Sequence, residues 1–243
     1  MIRSDGQEVD DAIFGRLVER MAMRPVASSW IHPNGGAAMV AVVTPTVPED
    51  CYTLPRYESA DGNVVLVTDA LLSNREELVA ELGWSDARLT QTADGALVMA
   101  AYERWGEDCP AKLEGHFALA VWRKRERRLF CSVDAFSFRP LYYHCVDGVF
   151  TFASTLRGIF AGSGKVSPLM LTRLTGKVRK LNERAIIRDL MGVRDRVEET
   201  FYEGVLRLPA AHSLSWEVGR DPVTRRYWAP DPNCRVEEEN EEA

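Results

Sequence analysis

The stretch from Leu113 to Ser154, LEGHFALAVWRKRERRLFCSVDAFSFRPLYYHCVDGVFTFAS, constrains the fold more than any other part of the chain. It holds four apolar runs in succession, each of strand length and bounded by turn residues. In the first, Phe117, Leu119 and Val121 fall on one face and His116, Ala118, Ala120 and Trp122 on the other. Neither face is clearly polar, so the strand should be covered on both sides. The basic run 123–128 turns the chain into a second strand, Arg128 to Val133, and reads as a solvated hairpin tip. Pro140 to Val146 and Val149 to Ser154 follow, joined by Asp147-Gly148. Both turn positions of a type I′ turn need positive φ, which makes Asp-Gly between apolar runs a strong hairpin signal.

Upstream, Ile13, Phe14, Leu17, Val18 and Met21 recur at helical spacing and end before Arg24-Pro25. A turn at Asn34 to Gly36, a strand over 37–43 and a Pro-rich loop over 45–55 come next. The strand Asn63 to Thr68 leads into Asp69 to Ser73, where Ser73 and Glu76 fit a capping box and predict a helix from about residue 74 to Gly83. A second helix is predicted over Asp94 to Trp105, with Asp94 as its cap, Leu97, Val98, Ala101, Tyr102 and Trp105 as its apolar stripe, and Gly106 as its stop. Beyond Ser154 the pattern predicts short helices over 155–161 and 185–190, and another starting at Ser167-Pro168 with Leu169, Leu171 and Leu174. No internal repeat or second composition regime appears, so residues 1–232 are read as one domain and 233–243 as an acidic tail or linker.

The net charge of −6 gives no electrostatic reason for nucleic acid or an anionic membrane as partner. No apolar run approaches the roughly 20 residues of a bilayer span and residues 1–6 carry no signal core, so a cytoplasmic location is expected. Cys51, Cys109, Cys131, Cys145 and Cys234 are scattered, without C-x-x-C spacing, and read as buried or half-buried free thiols. Neither a metal nor a cofactor is expected. His116, His144 and His212 have no Ser or Asp at the spacing of a hydrolytic triad, and Gly162 to Lys165 lacks the strand-to-helix context of a phosphate loop.

The motifs of this chain resemble those of the amino-terminal glutamine-amidotransferase-type domain of the asparagine synthetase family. Gly115, Phe117, Ala118, Ala120 and Trp122 match its GxFAxAxWD strand; Leu129, Phe130, Asp134 and Arg139 to Tyr143 match LFxxRDxxGxRPLYY; Gly148 and Phe152 to Ser154 match G-x-FAS. TDALLSNREELVAELG is closest to the lasso-peptide cyclase and β-lactam-synthetase-like branch, whose motif reads roughly DxRLDNRxEL, and TFYEGVLRLPAAH at 200–212 is similar to TFYEGVRRLPPGH. The resemblance covers roughly residues 5–232. It implies an α+β fold, a four-layer αββα sandwich of two antiparallel sheets like that of N-terminal-nucleophile hydrolases.

It also implies where a glutamine site would lie. Active members use as nucleophile the Cys that follows the initiator methionine, with its own α-amine as general base. Here Ile2 follows Met1, so no catalytic residue is expected. Of the later residues that processing could expose, Ser4 and Cys51, cleavage before Cys51 would discard a helix and a strand that the fold requires. The family's carboxylate-clamping arginine lies on the strand equivalent to 37–43, yet no Arg occurs between Arg24 and Arg56. Thr68, Asp69 and Ala70 align with the family's Asn-Gly-Glu segment, and Asp94 matches a substrate-binding position whose other reading is a plain helix cap. Arg139 reads as structural, tying Asp134 across its loop. The SGGxDS motif of the family's ATP-pyrophosphatase domain does not occur.

The leading expectation is a non-catalytic binding or scaffolding domain. Its partner would be an ATP-dependent synthetase of the asparagine-synthetase or lasso-cyclase type, and it could also engage a precursor peptide. The alternatives are an active glutamine amidohydrolase supplying ammonia, and a vestigial fragment of a longer synthetase.

Overall fold

The computed structural model describes residues 1–3, 9, 12, 14–15, 19, 30–31, 36–41, 51–54, 56–85, 91–162, 180–193 and 195–233. The predicted first helix, the Asn34 turn and most of the Pro-rich loop lie mainly or wholly outside these residues, as do the Ser167-Pro168 helix, Cys234 and most of the acidic tail. The 123–128 turn and the alternating runs beside it build the centre of a six-stranded antiparallel sheet. Its order is β12 (Val223–Arg226), β11 (His212–Glu217), β7 (Arg128–Val133), β6 (Gly115–Arg123), β5 (Val64–Leu72) and β4 (Tyr57–Glu58). The hairpin tip is laced by ion pairs of Arg123 with Glu126 and Arg125 with Asp61, as a solvated turn would be.

The Asp147-Gly148 hairpin belongs to a second sheet, ordered β1 (Ile2–Arg3), β9 (Val149–Ala153), β8 (Tyr142–Val146) and β10 (Val205–Arg207). Asp147 and Gly148 both have positive φ, 49° and 74°, as the turn type demands. A short pair, β2 (Trp30–Ile31) and β3 (Ala38–Met39), lies next to β1 through a bridge between Ile2 and Ala37.

Pleating sends alternate residues of β5 and β6 to opposite sides, and each side has its own apolar cover. Val65, Val67, Ala120 and Trp122 meet Ile2, Tyr143 and Phe150 of the other sheet, so one core lies between the sheets. Leu66, Phe117, Leu119 and Val121 pack outward with Leu78 of helix α1 (Arg75–Leu82) and Leu97 and Val98 of α2 (Asp94–Trp105). On the far side, Ile159 of α3 (Leu156–Gly162) covers Ala153 and Val205. The layers run helix, sheet, sheet, helix, the αββα arrangement expected. A further helix, α4 (Glu183–Leu190), is capped by the Asn182 side chain, which accepts from Ala185 N.

Two local expectations are corrected. Ser73 does not cap α1: the N-cap is Asn74, which makes no side-chain cap bond. The Asn74 amide instead bridges to the chain before β6, donating to Lys112 O and accepting from Glu114 N, each at 3.0 Å. Likewise Ala93, not Asp94, is the N-cap of α2. A 3-10 helix, Gly106–Lys112, follows α2.

Candidate functional site

Among the described residues, two neighbouring crossings carry the chain between the sheets. One crossing is the loop from Asp134 to Leu141; the other is Leu208 to Ala211, hydrogen-bonded to the first through Leu208 N to Leu141 O and Ala211 N to Asp134 O. Asp134 is wholly buried. Its Oδ1 accepts from the main-chain nitrogens of Phe136 and Phe138, and its Oδ2 from those of Arg139 and Phe117, at 3.0 to 3.3 Å. Four main-chain donors on one carboxylate hold the loop in a single shape. Arg139 does contact Asp134, but through its main-chain nitrogen. Its guanidinium turns away to Asp69, with Nε 3.5 Å from Oδ2, which corrects the expected side-chain tie.

Thr68 and Asp69 are neighbours within β5, a continuous nine-residue strand, and therefore leave it on opposite faces. Asp69 shares the inter-sheet face with Val65 and Val67, and pairs with Arg139. Thr68 shares the helix-facing side with Leu66, where its hydroxyl donates to Ala118 O at 3.0 Å.

Asp94, only 6% exposed, lies beyond the end of β5, at the first turn of α2. Its Oδ2 accepts from Leu72 N at 2.7 Å, and its Oδ1 is bound by the Arg75 guanidinium. Arg75 also donates to Thr92 O at 2.7 Å. The reading as a helix cap is thus replaced by a partly buried ion pair that fastens α1, α2 and β5 together. Helical spacing does not single out Arg75; its place in the SNREEL segment is the signal that points to it. The structure does not gather Thr68, Asp69 and Asp94 around one space. Each is engaged with a different internal partner.

The Met1 nitrogen donates to Ala38 O at 2.9 Å between β1 and β3. Burial pushes this amine down to about 5, against a smaller opposing effect of Cys131. Cys131 and Cys109 are buried thiols, both pushed up by burial, whereas Cys51 is exposed, contrary to the expectation of a covered thiol. His144 Nδ1 lies 2.7 Å from Gly204 O and His212 Nδ1 2.7 Å from Ala210 O, each on a main-chain carbonyl. Among the described residues, no cluster of three or more His, Cys, Asp or Glu could hold a metal, and no helix is long and apolar enough to cross a membrane.

Residues 53–161 match the family described as "Glutamine amidotransferase domain". The glutamine-hydrolysing asparagine synthetase 3 of Bacillus subtilis is 31% identical over 165 residues, covering 67% of this chain and 25% of that protein. The glutamine-hydrolysing asparagine synthetase 2 of Oryza sativa subsp. japonica is 31% identical over 122 residues, 49% of this chain and 19% of its own length. Among solved structures, glutamine phosphoribosylpyrophosphate amidotransferase from B. subtilis superposes with a TM-score of 0.45 at 13% identity, over 72% of this chain and 31% of that one. The chain spans about a quarter of the length of the first curated relatives it matches. It carries a glutamine amidotransferase domain with homologues among the glutamine-hydrolysing asparagine synthetases.

Proposed function

We propose that this is a catalytically inactive amidotransferase-type domain that binds or scaffolds an ATP-dependent synthetase forming amides or lactams. Within the family we assign it to the lasso-peptide cyclase and β-lactam-synthetase-like branch, where the synthetase substrate is a precursor peptide or a peptide-like acid. A partner that uses ATP implies a cytoplasmic complex.

The observation that carries this reading is the closure of Asp94. In an amino-acid site a free carboxylate would receive the ammonium of the ligand; here the Arg75 guanidinium already occupies it. An incoming ammonium would have to displace that guanidinium, and losing a hydrogen bond to a charged group costs about 1.5–3 kcal/mol. A loss of about 2 kcal/mol alone weakens binding by roughly thirtyfold. Thr68 and Asp69 offer no substitute, because their side chains diverge across the sheet and are bonded within the fold.

The reading is tested by titrating the purified chain into a synthetase domain encoded beside it, with calorimetry and co-purification as readouts. Saturable association is expected. A well-folded chain that associates with no such domain would overturn the scaffolding role.

A further inference from the structure

The loop that crosses between the sheets carries two phenylalanines outward. Phe136 is 70% exposed and Phe138 62%, and Trp228 beside them is 40% exposed. Their rings form a continuous ladder: Trp228 meets Phe136 edge-on at 5.9 Å between centroids, Phe136 meets Phe138 at 6.2 Å, and Phe138 lies on the His116 ring at 4.3 Å. Contiguous exposed aromatic surface of this kind marks an interaction site rather than a scattering of surface residues.

The loop is also fixed before any partner arrives. The buried Asp134 carboxylate accepts from the nitrogens of Phe136, Phe138 and Arg139, and Arg207 reaches Ser137 Oγ, between the two phenylalanines, at 3.1 Å. Rigid aromatic anchors lose little conformational freedom on binding, which is the property of binding hot spots.

The rim indicates what the anchors would meet. Arg139 adjoins Phe138, Arg207 holds Ser137, and Arg226 Nε donates to Trp228 O at 2.8 Å. Asp69 pairs with Arg139 on this rim. Against these three guanidiniums stand Asp69 and the buried Asp134, whose carboxylate is already held by four main-chain nitrogens, which leaves a locally cationic border on a chain of net charge −6. We infer that the Phe136–Phe138–Trp228 patch docks an acidic protein segment, in which an apolar side chain sits on the rings and flanking carboxylates meet the arginines. This names the chemistry of the partner that the scaffolding role requires, and so rests on that reading.

The probe is a short fluorescent peptide with a Leu-Trp centre flanked by glutamates, followed by anisotropy. A lysine-flanked analogue and an oligouridylate serve as the comparison arms. The glutamate peptide is expected to bind saturably. Its Kd should rise at least about tenfold in Phe136→Ser/Phe138→Ser and rise steeply with salt, since exposed charges are screened within about 10 Å at 0.1 M. Both replaced rings are exposed, so circular dichroism of the variant should match the parent. Absence of binding, equal binding of the lysine peptide, tighter binding of the oligouridylate, or an unchanged Kd in a folded double variant would each overturn the proposal. Glutamate release from glutamine would overturn the inactive reading without altering the titration, whereas a failed titration would leave the closure of Asp94 as it stands.

Discussion

At the scale of single residues, position in the chain and role in the fold come apart. Asp94 precedes an apolar run as a cap would, yet it occupies the first turn of α2 and binds Arg75, nineteen positions earlier. Helix periodicity carries no information about that partner, so the site was legible as a set of residue types and not as an arrangement. Asp134 shows the converse: it was recognised as part of a motif, but its burial and its four main-chain donors appear only once the loop is closed over it. Asp134→Ala would orphan those donors and is expected to lower stability by about 3–5 kcal/mol, measured by urea denaturation, because bonds to a buried charge rank among the larger single-residue contributions. Tyr102 supplies a pH-dependent test. Burial raises its hydroxyl from 10.0 to about 12, so the unfolded chain ionises first as pH rises. Its contribution to stability is therefore complete below pH 10 and lost as pH climbs through about 12. Tyr102→Phe should show a shallower alkaline decline in its urea midpoint than the parent; burial also raises Tyr143, Tyr227, Cys109 and Cys131, so the decline should be reduced and not abolished.

At the scale of elements, the sequence was most informative where alternation and turn chemistry agreed. β6, β7, β8 and β9 fall where the apolar runs lie, and the two-sided cover predicted for β6 is supplied by the inter-sheet core on one side and α1 and α2 on the other. That the four strands divide between two sheets was not written in their pattern, because a hairpin signal does not say where the next hairpin packs. The register of β5 was less visible still. Reading Thr68 as the end of a strand hid the fact that Thr68 and Asp69 point to opposite sides of a strand that continues to Leu72. Gly115 gives the element-scale prediction. Its φ is 119°, and a Cβ there would lie 2.3 Å from Leu71 O of β5. Gly115→Ala must therefore push β6 from β5 as well as strain its own backbone, and a loss of at least about 2 kcal/mol is expected in a thermal or urea melt. Gly62→Ala, at a turn with φ 68° and nothing within 4 Å of the added Cβ, should cost only about 1 kcal/mol.

For the whole molecule, the inter-sheet core is drawn from both sheets, from Ile2 near one end of the chain to Trp216 near the other. We expect residues 1–232 to unfold as one unit, with far-ultraviolet circular dichroism and tryptophan fluorescence giving coincident transitions; two separated transitions would mean two domains. Under the proposed function, a chain that keeps this core while Thr68, Asp69 and Asp94 pair within the fold is expected to hold a shape without performing the reaction. The most direct test is glutamate release from glutamine by the purified 243-residue chain. The account predicts no release above background, in the parent and in Cys51→Ala alike. Release by the parent that is abolished by Cys51→Ala would contradict it and restore a working glutaminase.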